Sequence, residues 1–149
     1  MDIKEGIITA KRLIKDARYS IYIYDGHFDP KIFQDIKVVQ KMMYVVRKGV
    51  CLEIICDQSA RIIDDRINLM IKNRKIQLHR HKMDTGLLKR WYSDNHIEKG
   101  HYMVVDNLHT RIEMPHNLKS DIRRAELRLK DKDFAYKFTE DFMKRLYPV

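Results

Sequence analysis

Apolar positions along the chain recur first at helical and then at strand spacing, and the alternation between the two is regular. Ile3, Ile7, Ala10, Ile14 and Ala17 fall on one helical stripe with lysines between them, which predicts an amphipathic first helix. Residues 19–24 are a β-branched and aromatic run that ends at Asp25 and Gly26, the signature of a strand and a tight turn. A second helix is predicted from Pro30, carrying Ile32, Ile36, Val39, Met43 and Val46 and stopping at Gly49, where a left-handed cap suits glycine. Residues 50–56 make a second strand. Asp57 and Ser59 offer capping oxygens ahead of a third helix marked by Ile63, Ile67, Met70 and Ile71. Residues 75–81 alternate as a third strand with Gln77, His79 and His81 on one face.

Three such strand and helix units imply right-handed crossovers and a sheet covered on both faces. Residues 82–100 carry turn formers and charges around Leu87, Leu88, Trp91 and Tyr92, and read as an ordered loop. Residues 101–106 and 108–113 form two strands joined at Asp106 and Asn107, and residues 125–129 alternate as a further strand. Phe134, Phe138, Phe142 and Leu146 then recur every fourth residue on a closing helix. The fold class is α/β, with a mixed, mainly parallel sheet flanked by helices on both faces.

At 149 residues with 44% apolar side chains and no low-complexity stretch, the chain is expected to be a single domain over residues 1–149. No stretch approaches the roughly 20 apolar residues of a membrane span, and the first residues lack a hydrophobic signal core. The expectation is a soluble cytoplasmic protein. Cys51 and Cys56 sit an odd number of positions apart on one strand, so they face opposite ways and read as thiols rather than a disulfide. A formal net charge of +9 attracts phosphates and nucleic acid, although Lys and Arg are scattered rather than massed, as on an ordinary solvated basic surface.

The candidate chemistry lies around residues 99–116. With Asp106 as anchor, this segment resembles the His-x-Lys-x4-Asp signature of the phospholipase D superfamily, with Lys99 at the histidine position and His101 at the lysine position. The family's second element, Gly-Ser-x-Asn, falls on Glu113, Met114, Pro115 and His116 and is not kept. The order of elements is similar to one phospholipase D-like domain over nearly the whole chain. That resemblance implies a homodimer in which two signature histidines meet, one attacking phosphorus and one protonating the leaving oxygen, with no metal or other cofactor.

On this basis His101, Lys99 and Asp106 are the candidate catalytic residues, and Arg111, Glu113 and His116 the candidate substrate-binding residues. A histidine at the lysine position stands about 6–7 Å further along the strand than the family's nucleophile. The expected function is therefore a phospholipase D-like module with a degenerate or altered site that binds phosphate, nucleic acid or a protein partner. The alternative is a metal-independent nuclease or phosphodiesterase with a histidine nucleophile. Archaeal sugar-responsive transcription regulators carry an inactive domain of this shape beside a DNA-reading domain, for which this sequence has no counterpart.

Other readings are weaker. Arg111 and Glu113 share a strand face and form either a structural ion pair or, with Arg111, His101 and His116 together, an anion pocket. Six of the seven histidines fall between His79 and His116, and His79 with His81 would suit a metal, yet no Cys or helical Asp completes the set, so no metal is expected. Five glycines leave no room for a phosphate loop, a nucleophile elbow or a dinucleotide fingerprint. Residues 25–29 follow the first strand where substrate loops occur in open α/β sheets, though a plain βα turn is the stronger reading.

Overall fold

A computed structural model describes residues 2–82, 101–113 and 125–147. In chain order the elements are α1 (Ile3–Lys15), β1 (Ser20–Tyr24), α2 (Ile36–Arg47), β2 (Cys51–Asp57), α3 (Asp65–Lys72), β3 (Ile76–His81), β4 (His101–Val105), β5 (His109–Glu113), β6 (Ala125–Arg128) and α4 (Lys132–Leu146). Each of these helices opens on an aspartate whose carboxylate accepts first-turn N–H groups: Asp2, Asp35, Asp64 and Asp131. That chemistry moves two boundaries from where periodicity put them. Asp35 accepts from the N–H groups of Lys37 and Val38, so α2 begins at Ile36, and residues 30–35 are a turn that buries Ile32 and Phe33. Asp57 closes a turn onto Ser59 instead of capping a helix, and Asp64 starts α3. Gly49 ends α2 at φ +97°, as the sequence required.

The sheet runs β3-β2-β1-β4-β5-β6. It is mixed, as expected, but parallel pairing is confined to β1 with β2 and β2 with β3. The pairings of β1 with β4, β4 with β5 and β5 with β6 are antiparallel, which corrects the expectation of a mainly parallel sheet. The cause is local. Asp106 and Asn107 take φ +57° and +53°, a left-handed pair that these residue types tolerate, and the chain reverses into β5 with no helix to carry it across.

Both faces are covered. On one, α1, α2 and α3 bring Ala10, Ile14, Val39, Met42 and Ile67 onto Ile21, Ile23, Leu52, Ile54, Met103 and Val105. On the other, α4 brings Ala135, Phe138 and Phe142 onto Tyr24, Ile55, Tyr102, Val104 and Ile112. Alternate residues of β4 accordingly serve different cores. Cys51 is exposed and Cys56 buried, and both are free thiols. Among the described residues no helix is long and apolar enough to cross a membrane.

Candidate functional site

At one end of the sheet the carboxyl ends of β1, β2 and β3 meet the start of β4, the end of β5 and the start of β6. Here the chain leaving β1 is pinned by its own polar groups. The Asp25 N–H donates to the Ile55 carbonyl at 3.1 Å, and the Asp25 carboxylate accepts from the N–H groups of His27 and Asp29, each at 3.2 Å. Asp29 in turn accepts from the Lys31 N–H at 3.0 Å, while Phe28, at φ +48°, stacks on Phe33 beneath. Asp25 and Asp29 are buried.

His101 opens β4 opposite Glu113 of β5, and its neighbour Tyr102 pairs with Tyr24, which sets His101 beside Asp25. The Gly26 N–H donates to His101 Nδ1 at 3.3 Å, and Asp25 Oδ1 stands 3.5 Å from the same nitrogen. The imidazole is 14% exposed. On the same sheet face, Arg111 donates through Nη1 to Glu113 Oε2 at 3.1 Å and through Nε to Thr9 Oγ1 of α1 at 3.4 Å. Arg111 and Glu113 are both almost fully buried, so this is a pair withdrawn from solvent rather than a surface contact.

Of the residues singled out in the sequence, His101, Arg111 and Glu113 are brought to one end of the sheet. Asp106 is not among them. It stands at the far end of β4, about 17 Å away at strand rise, where its carboxylate accepts from the N–H groups of Arg18, Tyr19 and Ser20 at 2.7–3.1 Å. There it ties the entry of β1 to the β4–β5 turn. Lys99 and His116 lie outside the described residues. His109 faces the opposite end and accepts from the Lys130 N–H at 3.0 Å.

His79 and His81 flank the other face. His79 Nε2 is 3.3 Å from Glu53, and burial, then the charges of His79 and Arg145, push the His81 imidazole's pKa down. No group of three or more potential metal ligands occurs among the described residues. On this face Arg145 lies 4.3 Å over the Tyr24 ring and donates to Asp141 at 2.8 Å, and Tyr102 Oη donates to the same carboxylate at 2.5 Å. Burial above all pushes the Tyr24 phenol up to about 12, against the pull of Arg145.

Sequence reasoning placed Asp25 in a possible substrate loop but did not join it to His101. Its signal was present as an acid directly after a strand with both faces buried, in the loop position of an open α/β sheet. Its contact with His101 spans most of the chain and leaves no local pattern.

Six strands in this order with helices on both faces make a fold similar to that of phospholipase D family structures. The structure is similar to TrmBL2, an archaeal chromatin protein whose structure shows a novel mode of DNA binding, with TM-score 0.67 and 15% identity over 97% of this chain and 50% of that one. It therefore spans half of that protein. NucT from Helicobacter pylori is similar at TM-score 0.67 and 15% identity, over 97% of this chain and 89% of that one. Nuc from Salmonella typhimurium, a phospholipase D family member, is similar at TM-score 0.61 and 15% identity, over 93% and 85%. No protein-family model and no curated protein matches the sequence.

Proposed function

We propose that this chain is a phospholipase D-like module that holds a phosphate-bearing ligand, a nucleic acid, at the His101 end of its sheet, in a binding rather than a hydrolytic role and as a homodimer. The observation that carries this reading is the company His101 keeps. Phosphoryl transfer needs several cations fixed around one phosphorus. Beside His101 the described residues offer the carboxylates of Asp25 and Glu113 and one guanidinium, Arg111, which is engaged by Glu113. Among the described residues, that is short of the cations phosphoryl transfer requires. Lys99, two residues before β4, and His116, three residues after β5, supply the further positive charge in this proposal, within a chain of net charge +9. The likeness in fold to a DNA-binding chromatin protein points the same way.

A second reading has one specific observation in its favour. The 3.5 Å approach of Asp25 to His101 is an imidazole–carboxylate couple of the kind that orients a nucleophilic or general-base histidine. Incubation with a labelled oligonucleotide in EDTA separates the two. We expect binding with a steep salt dependence and no cleavage, and loss of binding in His101→Ala. Cleavage that survives chelation and disappears in His101→Ala would establish the metal-independent phosphodiesterase instead.

A further inference from the structure

The lysines that look scattered along the chain are gathered by two helices. On α1, Lys4, Ile8, Lys11 and Lys15 recur at helical spacing along one flank, and on α2 the same spacing collects Lys37, Lys41, Tyr44 and the cap residue Lys48. The two flanks face each other. α1 leads into β1 and α2 into β2, which are parallel, so the helices pack side by side in the same sense, and the charge of Lys15 reaches Tyr44 across the gap. Tyr44 registers the field: a hydrogen bond from Lys48, then the charges of Lys48, Lys41 and Lys15, hold its phenol below the ordinary value of 10.0. Lys48 Nζ also lies 4.4 Å over the Tyr44 ring.

Acids are kept off this face. Glu5 and Asp16 fall with Arg12 on the other flank of α1, and α2 contains no acidic residue. Lys4, Lys15, Lys37 and Lys48 are exposed and Lys11 and Lys41 half-buried, and among the described residues none of these lysines is held in an ion pair. The other helices differ. On α3 Arg66 pairs with its cap Asp64 at 3.1 Å, and on α4 Lys144 pairs with Glu140 at 3.1 Å and Arg145 with Asp141 at 2.8 Å. Two facing stripes of uncompensated cations make a field that suits a chain of anions.

We propose that the face shared by α1 and α2 is a docking surface for the phosphate backbone of a single nucleic-acid strand, which it carries away from the His101 end. This rests on the reading of that end as the ligand site. Both helices begin at that end of the sheet and finish at the Asp106 end, so each stripe runs the length of the strands beneath it. At 1.5 Å per residue, Lys4 to Lys15 and Lys37 to Lys48 each cover about 16 Å, room for about five phosphates of a stacked strand. Lysine suits the task, because an ammonium is a point charge that imposes no fixed geometry. Tyr44, 49% exposed on the same stripe, gives a base a ring to stack on. A bilayer is a poorer fit: the apolar residues of both helices, among them Ala10, Ile14, Val39 and Met42, are packed on the sheet, which leaves only Ile8 and Tyr44 along the stripes to enter a membrane.

The test is a salt titration of binding to two labelled oligodeoxynucleotides, a trinucleotide that covers the His101 end alone and a long single strand. Lys15→Gln, Lys41→Gln and Lys48→Gln combined should flatten the slope of log affinity against log salt for the long strand by about 2 and weaken its binding at low salt by at least about tenfold, with the trinucleotide little changed. The same charge removed elsewhere, by Lys72→Gln on α3 with Lys132→Gln and Lys137→Gln on α4, should leave both ligands near the wild type. Acetylation of the wild-type protein gives a second measure independent of any variant's folding: the long strand should protect Lys15, Lys41 and Lys48 several-fold, and the trinucleotide should not. Equal losses in the two triple variants, a loss of trinucleotide as large as that of the long strand, or unprotected lysines would overturn the proposal and leave the ligand site standing. So would phosphatidylserine vesicles held through these lysines while the long strand gains nothing over the trinucleotide. Failure of both oligonucleotides to bind would remove the ligand site itself.

Discussion

Arg111 and Glu113 show how much one residue's setting decides. Strand alternation put them on a common face, yet alternation is blind to what lies over that face, and α1 turned an ordinary ion pair into a buried one. Removing one member of such a pair strands the other charge in the core. Arg111→Met is therefore expected to cost about 3–5 kcal/mol, and Arg111→Met combined with Glu113→Leu to recover most of it, because a buried pair is often replaceable by apolar side chains of similar size. Urea denaturation of the single and double variants checks both statements. Asp106 carries a different prediction. With three backbone N–H donors on its carboxylate, Asp106→Ala should destabilise the fold by about 1–3 kcal/mol in the same measurement. The resemblance put this aspartate in one motif with His101, but the two stand at opposite ends of β4.

Helix starts are legible in this chain because their chemistry is local. At α3, burial alone would raise the Asp64 carboxyl's pKa, but hydrogen bonds from the Arg66 side chain and from the N–H groups of Ile67 and Arg66 outweigh it and hold the carboxyl below its ordinary value of 3.8. A depressed carboxylate stabilises the folded chain above its unfolded pKa, and that contribution is lost as pH falls through the folded value. Replacement by Asn keeps a capping oxygen without the charge, so Asp64→Asn should show a shallower loss of thermal stability on acidification than the wild type. The strands make a matching statement in β2. Cys51 and Cys56 lie on opposite faces, and burial raises the pKa of both thiols, further opposed at Cys56 by Arg80. Titration with a thiol reagent should modify Cys51 in the folded protein and Cys56 only after unfolding. On the second sheet face α4 supplies the helical cover, and Phe142 is fully buried against it. Phe142→Ala should cost about 3–5 kcal/mol, read from the denaturation midpoint.

For the molecule as a whole, the proposal of a homodimer predicts a sedimentation mass twice the 18.0 kDa of one chain, with dissociation expected to weaken oligonucleotide binding. The overall architecture was readable because turn formers, caps and changes of hydrophobic period punctuate every described element. The split of the sheet into a parallel and an antiparallel half was less so. The β4–β5 reversal depends on Asp106 and Asn107 both taking left-handed backbone, but the antiparallel entry of β4 beside β1 is a long-range pairing with no local signal. The site was readable in part. His101 stood out through its motif, whereas Gly26 lies 75 residues from it in sequence and meets it only when β4 slots in beside β1.

What the sequence determined by itself is therefore everything set by neighbours along the chain: the order of helices and strands, the residues on each face, the opposed cysteines and the excess of positive charge. These follow from the periods of 3.6 and 2 and from side chains that reach only a few residues. Tertiary structure alone decided which face was dry, so that Arg111 and Glu113 became buried. It also decided which distant groups touch, so that Asp25 and Gly26 both approach one nitrogen of His101. Burial and long-range contact come from packing elements together, and no local pattern encodes them.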